Sequence, residues 1–413
     1  MIKSVFALFV FILSFSSGYA QKGWTISGVI KDSKGVTLPG AGVYLSNYKT
    51  ATVTDNDGRF VLSNLKPGSY DVLVQMMGFL PYTRNVLISD KNVEINIVLK
   101  DNTITLNEVV IQADPDRDKY INLFKEFFIG KTPNAAKCKL LNPQVLYVKF
   151  DRDENVLSVK SNEFLVIENK ALGYRLKYLL QHFEYDYTSK IIYYSGLPNF
   201  EELKGSKSRK KKWMLNREAA YYGSSQHFFK SLYRNTSKEE GFVINKLIKI
   251  PNPNRPADTL INKNIKRFLK AQHGVIRLGS AYNDSLNLWY KIKAMPKSLN
   301  TLNRSEILTD TLVRQYYNDV KTMNFKDDLY VMYTKERETN DYTNLSGHSI
   351  NRPLDVPNYE ISVIHLLEGP VNFYASGGIL ESKSMLFEGF WAYEKIGDMV
   401  PMDYIPIANR KVE

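Results

Sequence analysis

The chain has 413 residues, with 55 Lys and Arg against 43 Asp and Glu, a formal charge of +12, and 13% aromatic residues that include 27 tyrosines. Its one cysteine, Cys138, excludes an intramolecular disulfide and any multi-cysteine zinc or iron–sulfur site, and it reads as a small buried hydrophobe. The charge excess favours anionic surfaces through long-range attraction, and the tyrosines suit half-buried sheets, where the ring packs and the hydroxyl stays wet.

At the start of the chain Lys3 precedes an apolar run from Val5 to Phe15, followed by Ser16, Ser17 and the small pair Gly18-x-Ala20. A charged start, an apolar core and a small-residue site predict a signal peptide over residues 1–20, with a mature chain beginning at Gln21. The core falls short of the roughly 20 apolar residues of a membrane-spanning helix, and no cysteine follows it to carry a lipoprotein anchor. The 393 residues that remain (413 minus 20) allow about two or three domains. Export places the protein in the periplasm or peripherally on the outer membrane, and makes nucleic acid a poor partner.

From Trp24 to Leu99 come short β-type runs, WTISGVI, AGVYLSN, TATVTD, GRFVLSNL, GSYDVLVQMM and VEINIVL. Lys34-Gly35, Pro39-Gly40, Asp57-Gly58 and Pro67-Gly68 separate them, and these dipeptides permit chain reversals that would strain other residues. Close spacing of such runs predicts a sandwich of about seven strands over residues 21–100. The stretches SGVIKDSKGVTLPGAGVYL and TVTDNDGRFVLSNLKPGSYDVLVQMMGF resemble the carboxypeptidase regulatory-like domain found at the N-termini of Bacteroidetes envelope proteins. The resemblance covers about Thr25 to Leu99 and implies a transthyretin-like Greek-key fold with an accessory role. The superfamily also holds starch-binding-like modules, which implies contact with glycans.

Residues 101–118 read as a linker. Within it Leu106-Asn107-Glu108-Val109-Val110-Ile111 resembles the segment that joins this module to the plug of TonB-dependent receptors. The remainder, 119–413, reads as an antiparallel-sheet-rich α+β domain, so that the whole chain is mainly β with some α. Asp114-Pro115 predicts a helix start, with Tyr120, Leu123, Phe124, Phe127 and Phe128 at helical spacing and Gly130 to close it. Strands are expected at QVLYVKF, EFLVIEN, LGYRLKYLL, HFEYDYT and KIIYYSG, arranged as an antiparallel meander. A basic run, Lys207 to Lys212, leads into Trp213 and a helix continuing through Leu232. PNPNRPA, residues 251–257, marks a long loop or insertion. Strands resume at LYVMYTK, ISVIHLL, VNFYASG and FEGFWAYE. KALGYR, AAYYGSSQHF, GGILESKSMLFEGFWAYEKIGDMVP and MDYIP are similar to the body of Bacteroidetes proteins that carry this N-terminal module, a resemblance that implies no activity.

Zinc needs about three ligands converging on one point, and His182, His227, His273, His348 and His365 form no HExxH, HxH or HxxE pair. No metal or cofactor is therefore assigned. His182 and Glu184 share a strand face and read as a surface ion pair. Ser224, two residues before Gln226-His227, and Ser376-Gly377-Gly378 lack the setting of a nucleophile elbow; His227 beside Phe228 reads as a hydrogen-bonded core histidine. Cys138 has no recognisable histidine partner. Asp55-Asn56-Asp57-Gly58 starts like a calcium loop, but Lys66 stands where the closing glutamate belongs, and Asp-Gly favours a type I′ hairpin. Trp24, Tyr44, Tyr48 and Tyr82 alternate as sandwich residues, and no sugar site is assigned to them.

Three functions compete. The first is an exported, non-enzymatic binding or scaffolding protein of the envelope, with an envelope protein or glycan as partner and the basic run 207–212 facing anionic lipid. The second is an envelope hydrolase assembled from dispersed residues such as Glu184, His227 and His365. The third is a small outer-membrane barrel, disfavoured because 302 residues (413 minus 111) follow Ile111, too few for a plug and a 22-stranded barrel, and because the final residues, Asn-Arg-Lys-Val-Glu, carry no terminal aromatic.

Overall fold

The computed structural model describes residues 23–102, 115–271, 281–317, 319–345, 350, 352–380 and 382–407. The predicted signal peptide, Gln21, the Leu106–Ile111 segment, His273 and His348 lie outside the described residues.

The first body is the expected sandwich, built from eight strands: β1 (Trp24–Asp32), β2 (Gly42–Leu45), β3 (Ala51–Val53), β4 (Arg59–Leu65), β5 (Gly68–Gln75), β6 (Tyr82–Ile88), β7 (Val93–Glu94) and β8 (Ile97–Leu99). β1 pairs antiparallel with β4 and parallel with β7 and β8, while β3-β2-β5-β6 form the facing antiparallel sheet. Alternation fills the core, with Ile26 and Ile30 of β1, Phe60 and Leu62 of β4, and Val72 and Val74 of β5 all pointing inward. The Asp55–Gly58 turn differs from the hairpin expected there: only Gly58 takes positive φ (73°), and the turn hands the chain from β3 in one sheet to β4 in the other. The Asp55 carboxylate accepts the amides of Asp57 and Arg59 at 3.0 and 2.8 Å, so its oxygen serves the turn.

The second body is a six-stranded antiparallel sheet made of β9 (Cys138–Leu140), β10 (Tyr147–Asp151), β11 (Val156–Lys160), β12 (Phe164–Asn169), β13 (Tyr174–Asp186) and β14 (Ile192–Glu202). It is not a simple meander. LGYRLKYLL and HFEYDYT are one strand, β13, with a register shift between Leu180 and His182; β11 and β12 pair with its two halves on one edge and β14 runs along the other. Helix α1 (Arg117–Ile129) begins two residues after Pro115 and lays Phe124 against Phe183 and Phe128 against Tyr178, ring centroids 4.9 and 5.0 Å apart.

The basic run, expected to lead into a helix, is itself helical. It forms the first turns of α2 (Lys207–Tyr221), capped by the Ser206 side chain and anchored by Trp213, whose indole donates to Lys170 O at 3.0 Å. The helix does not continue to Leu232. Tyr222-Gly223-Ser224 breaks it, and Ser224 caps a second helix, α3 (Ser225–Arg234).

The third body contains β15 (Phe242–Pro251), helices α4 (Asp258–Ala271) and α5 (Ala281–Ala294), and then β16 (Ser298–Asn303), β17 (Val313–Tyr317), β18 (Val320–Met323), β19 (Asp328–Arg337), β20 (Tyr359–Leu366), β21 (Val371–Tyr374) and β22 (Met385–Gly389). One sheet runs β16-β15-β19-β20-β22 and a smaller one β17-β18-β21. PNPNRPA opens the α4–α5 hairpin, inserted between the paired strands β15 and β16. FEGFWAYE is half strand and half helix, turning at Gly389 into a helical turn over Phe390–Tyr393. α3 buries Phe228, Phe229 and Leu232 against Phe242, Phe373 and Trp391, a core separate from that beneath α1.

The sandwich is docked on the second body. Leu73 points away from its own core and is buried with Leu179 and Leu197, flanked by Tyr44 and Phe164. Burying such a leucine contributes about 1.5–3 kcal/mol. Asn199 fixes the register by sharing its Nδ2 among Tyr48 O, Thr50 O and Leu45 O at 2.9, 3.4 and 3.5 Å.

Candidate functional site

A cleft of about 1040 Å³ opens between the second and third bodies. One wall comes from the end of α1 (Phe127, Gly130, Lys131) and the β13–β14 turn (Tyr185, Lys190, Ile191, Ile192). The opposite wall is Leu247, Leu302 and Val363 with Leu386 and Phe387 of β22, and Tyr393 and Lys395 form the floor. The turn is held stiffly, since Asp186 accepts the amides of Thr188 and Ser189 and the Ser189 hydroxyl. These interactions hold the Asp186 carboxyl below the usual carboxylate range, led by the Ser189 hydroxyl.

Most charges in the cleft are already matched. Lys131 pairs with Glu126 at 2.6 Å, and Arg352 pairs with Glu338 and donates to Tyr359 O. His365 sits between Asp328 (3.0 Å) and Glu388 (3.4 Å); their hydrogen bonds, Glu388 foremost, raise its basicity and depress that of Glu388. Lys395 differs. Burial alone lowers its ammonium to about 8, and its Nζ lies 5.9 Å from the Tyr194 ring centroid. A cleft whose walls mix apolar side chains with matched charges, and whose cations Lys190 and Lys395 form no ion pair among the described residues, suits a segment that combines apolar or aromatic side chains with negative charge.

The residues singled out in the sequence do not meet. His182 and Glu184 form a surface pair at 2.8 Å on β13. His227 is buried; its Nδ1 accepts the Gly223 amide at 3.2 Å, which leaves Nε2–H to donate to Glu240 at 2.7 Å. Both ring nitrogens are occupied, and burial lowers its basicity. Ser224 Oγ caps α3, accepting from His227 N and donating to Tyr221 O at 2.7 Å. Ser376 reaches Tyr48, across to the sandwich. Cys138 donates to Asn134 O at 3.6 Å, and burial pushes its thiol up to about 12, so it stays protonated. Glu184, His227 and His365 thus occupy different elements and engage different partners. Tyr44 packs on Phe164 of the second body, so docking consumes one of the four sandwich aromatics, while Tyr48 packs on Tyr70 within the sandwich.

Sequence reasoning missed a set of buried acids. Burial, with the charges of Glu336 and Glu338, pushes Glu360 up to about 9; burial pushes Glu336 to about 7 and raises Glu394 well above the usual range. Glu360 Oε2 makes no hydrogen bond among the described residues. No group of three His, Cys, Asp or Glu able to hold a metal ion occurs among those residues. The only sequence signal for the acids is a glutamate on an inward-facing strand position, such as Glu360 in β20.

Comparison with known proteins bears on the N-terminal module. Residues 26–111 match the family model of the CarboxypepD_reg-like domain. The N-terminal module is a CarboxypepD_reg-like domain. The same region is 34% identical over 111 residues to the TonB-dependent receptor SusC of Bacteroides thetaiotaomicron, and 31% identical over 106 residues to the TonB-dependent receptor P39 of Formosa agariphila. These matches take in 27% and 26% of this chain and 10% of each receptor, so the chain covers about a tenth of the relatives' length. Such a module is typical of envelope proteins such as TonB-dependent receptors. Among solved structures, a type II cohesin–X-dockerin complex from Acetivibrio cellulolyticus (21% identity, 19% of this chain and 58% of that one) and a streptococcal ancillary pilin (16%, covering 20% and 33%) each align with a TM-score of 0.18. Likenesses this slight carry no inference about function. No helix among the described residues is long and apolar enough to cross a membrane.

Proposed function

We propose that the chain is an exported, non-enzymatic binding or scaffolding protein of the cell envelope, and that it receives an extended segment of an envelope protein in the cleft between its second and third bodies. The observation that carries this reading is the contrast between the candidate catalytic side chains, each locked into a structural role, and a large cleft lined by apolar and mostly matched polar side chains with Lys395 at its floor. The CarboxypepD_reg-like module supports the envelope setting. The exposed run Lys207–Lys212 supports a peripheral contact with anionic lipid, because five cations crowd the positive end of α2, where the helix dipole disfavours them.

A photo-crosslinking residue placed at Ile191 or Leu386, one on each wall, tests the reading in intact cells. The expected result is a discrete adduct with one envelope protein at both positions, suppressed by Lys395→Glu. Adducts with a glycan would move the partner to another class. Adducts no more frequent than from an exposed control such as Leu354 would refute a cleft partner.

A further inference from the structure

The helical hairpin α4–α5 is built for a task that the cleft does not explain. Its base is clamped: Asn252 Nδ2 donates to Pro296 O at 3.0 Å, Arg255 Nε to Met295 O at 2.9 Å, and Asp258 pairs with Arg255 and Lys297 at 2.6 and 2.7 Å. The two helices pack against each other, and Ile261 and Ile265 of α4 are buried, 0% and 6% exposed. At about 100° per residue, Lys263, Lys266, Arg267 and Lys270 fall on the opposite face of α4, a single row about 10 Å long. All four are exposed, and none forms an ion pair among the described residues. The two helices carry six cations (Lys263, Lys266, Arg267, Lys270, Lys291, Lys293) against two acids, and one of those acids, Asp258, is committed at the base.

Two large apolar side chains flank this row on α4, Leu260 at one edge and Leu269 at the other, each 46% exposed. A purely electrostatic contact, as with a soluble polyanion, gives exposed leucines nothing to bury. A headgroup layer offers both a dense sheet of negative charge for the cations and an acyl boundary for the flanking leucines.

We infer that the α4–α5 hairpin docks the protein on an anionic phospholipid surface, with Lys263, Lys266, Arg267 and Lys270 against the headgroups. This inference is independent of the cleft and of its occupant, and it concerns a surface separate in sequence from the run Lys207–Lys212.

The test is co-sedimentation of the full chain, as recovered from cells, with phosphatidylcholine vesicles carrying about 30 mol % phosphatidylglycerol, and with phosphatidylcholine vesicles alone. Binding is expected only to the anionic vesicles. It should be lost near 1 M salt, where the screening length falls to about 3 Å, and weakened at least about tenfold by Lys263→Gln/Lys266→Gln/Arg267→Gln/Lys270→Gln, since each basic residue near such a surface adds substantially. Lys263→Arg/Lys266→Arg/Lys270→Arg should restore it, which guards against a loss caused by misfolding. The same count of glutamines in the run 207–212 should leave most of the binding in place. The inference is overturned if the hairpin variant binds like the wild-type chain, if the run variant alone abolishes binding, if neutral vesicles bind equally, or if the chain is retained on heparin resin but by no vesicle.

Discussion

At the scale of single residues, two buried titratable groups set opposite pH responses. Glu360, 6% exposed, has its carboxyl raised to about 9 in the folded chain. The folded state therefore holds a proton that the unfolded state gives up above about pH 4.3. The associated stability is fully present below that value and is lost as pH rises through about 9. Glu360→Gln fixes the neutral form, so it should flatten the fall in stability between pH 5 and 9 and gain about 2–4 kcal/mol at pH 8 in urea unfolding. Parallel pH curves for the two proteins would mean that Glu360 is ionised when folded. His227 works the other way. Burial lowers its basicity, so below about pH 6.5 the unfolded imidazole takes up a proton that the folded one resists, and stability falls as the solution is acidified. His227→Ala leaves the Gly223 amide without its acceptor and Glu240 Oε2 without its donor, while Glu240 Oε1 keeps Thr236 and Arg234. It should cost about 2–4 kcal/mol while leaving crosslinking at Ile191 unchanged, which a catalytic or ligand-contacting histidine would not do.

At the scale of elements, the break between α2 and α3 rests on Gly223. Its φ of +75° is a left-handed value, and an added Cβ would lie 2.6 Å from Glu360 Oε2 and 2.9 Å from the Tyr333 ring. Gly223→Ala should destabilise by about 2 kcal/mol or more, from backbone strain and overpacking together, seen as a lowered urea midpoint with an unchanged slope. This break was illegible in the sequence because Ala220, Phe228 and Leu232 keep a helical period across it. The strand β13 was misread for a related reason: the register shift after Leu180 resets the alternation, so one strand looked like two. VLSVK and FVINKLIKI, which became β11 and β15, were passed over although both are rich in β-branched residues. The sandwich was readable because its turns carry their own chemistry, with Lys34-Gly35, Pro39-Gly40 and Asp57-Gly58 each ending a run whose alternation stays unbroken. The cleft was not readable, since its walls come from residues more than 200 positions apart, such as Phe127 and Phe387.

At the scale of the whole molecule, the segment from Ile396 to Ile407 ties the bodies together. Asn169 donates to Gly397 O at 2.8 Å, and Asp398 accepts from Thr132 and Asn134, which secures it to the second body. The Met402 amide donates to Asn47 O of the sandwich at 2.8 Å. Lys230 of α3 donates to Met402 O and Tyr404 O at 2.9 and 3.3 Å, and Gln226 donates to Pro401 O. One short stretch thus satisfies backbone groups in the sandwich and the second body and reaches the helix that roofs the third. Lys230 is itself buried, its ammonium lowered to about 8 by desolvation, so without these carbonyls it would be a buried cation lacking acceptors. Cooperativity between the bodies should depend on this segment more than on its small area. The intact chain is expected to unfold in one calorimetric transition, with the sandwich following the rest. A chain ending at Val400 loses the Met402–Asn47 bond and the Lys230 contacts but keeps Asp398 in place, and it should unfold in two, the sandwich separating first because it then rests on its own interface, made of Asn199, Leu73, the Asn47–Pro198 and Phe200–Tyr48 backbone bonds, the Lys49–Glu202 pair and the Ser376–Tyr48 contact. Two transitions in the intact chain would mean that the sandwich is an independent module resting on the body, and the segment would then be a fastening of the second and third bodies only.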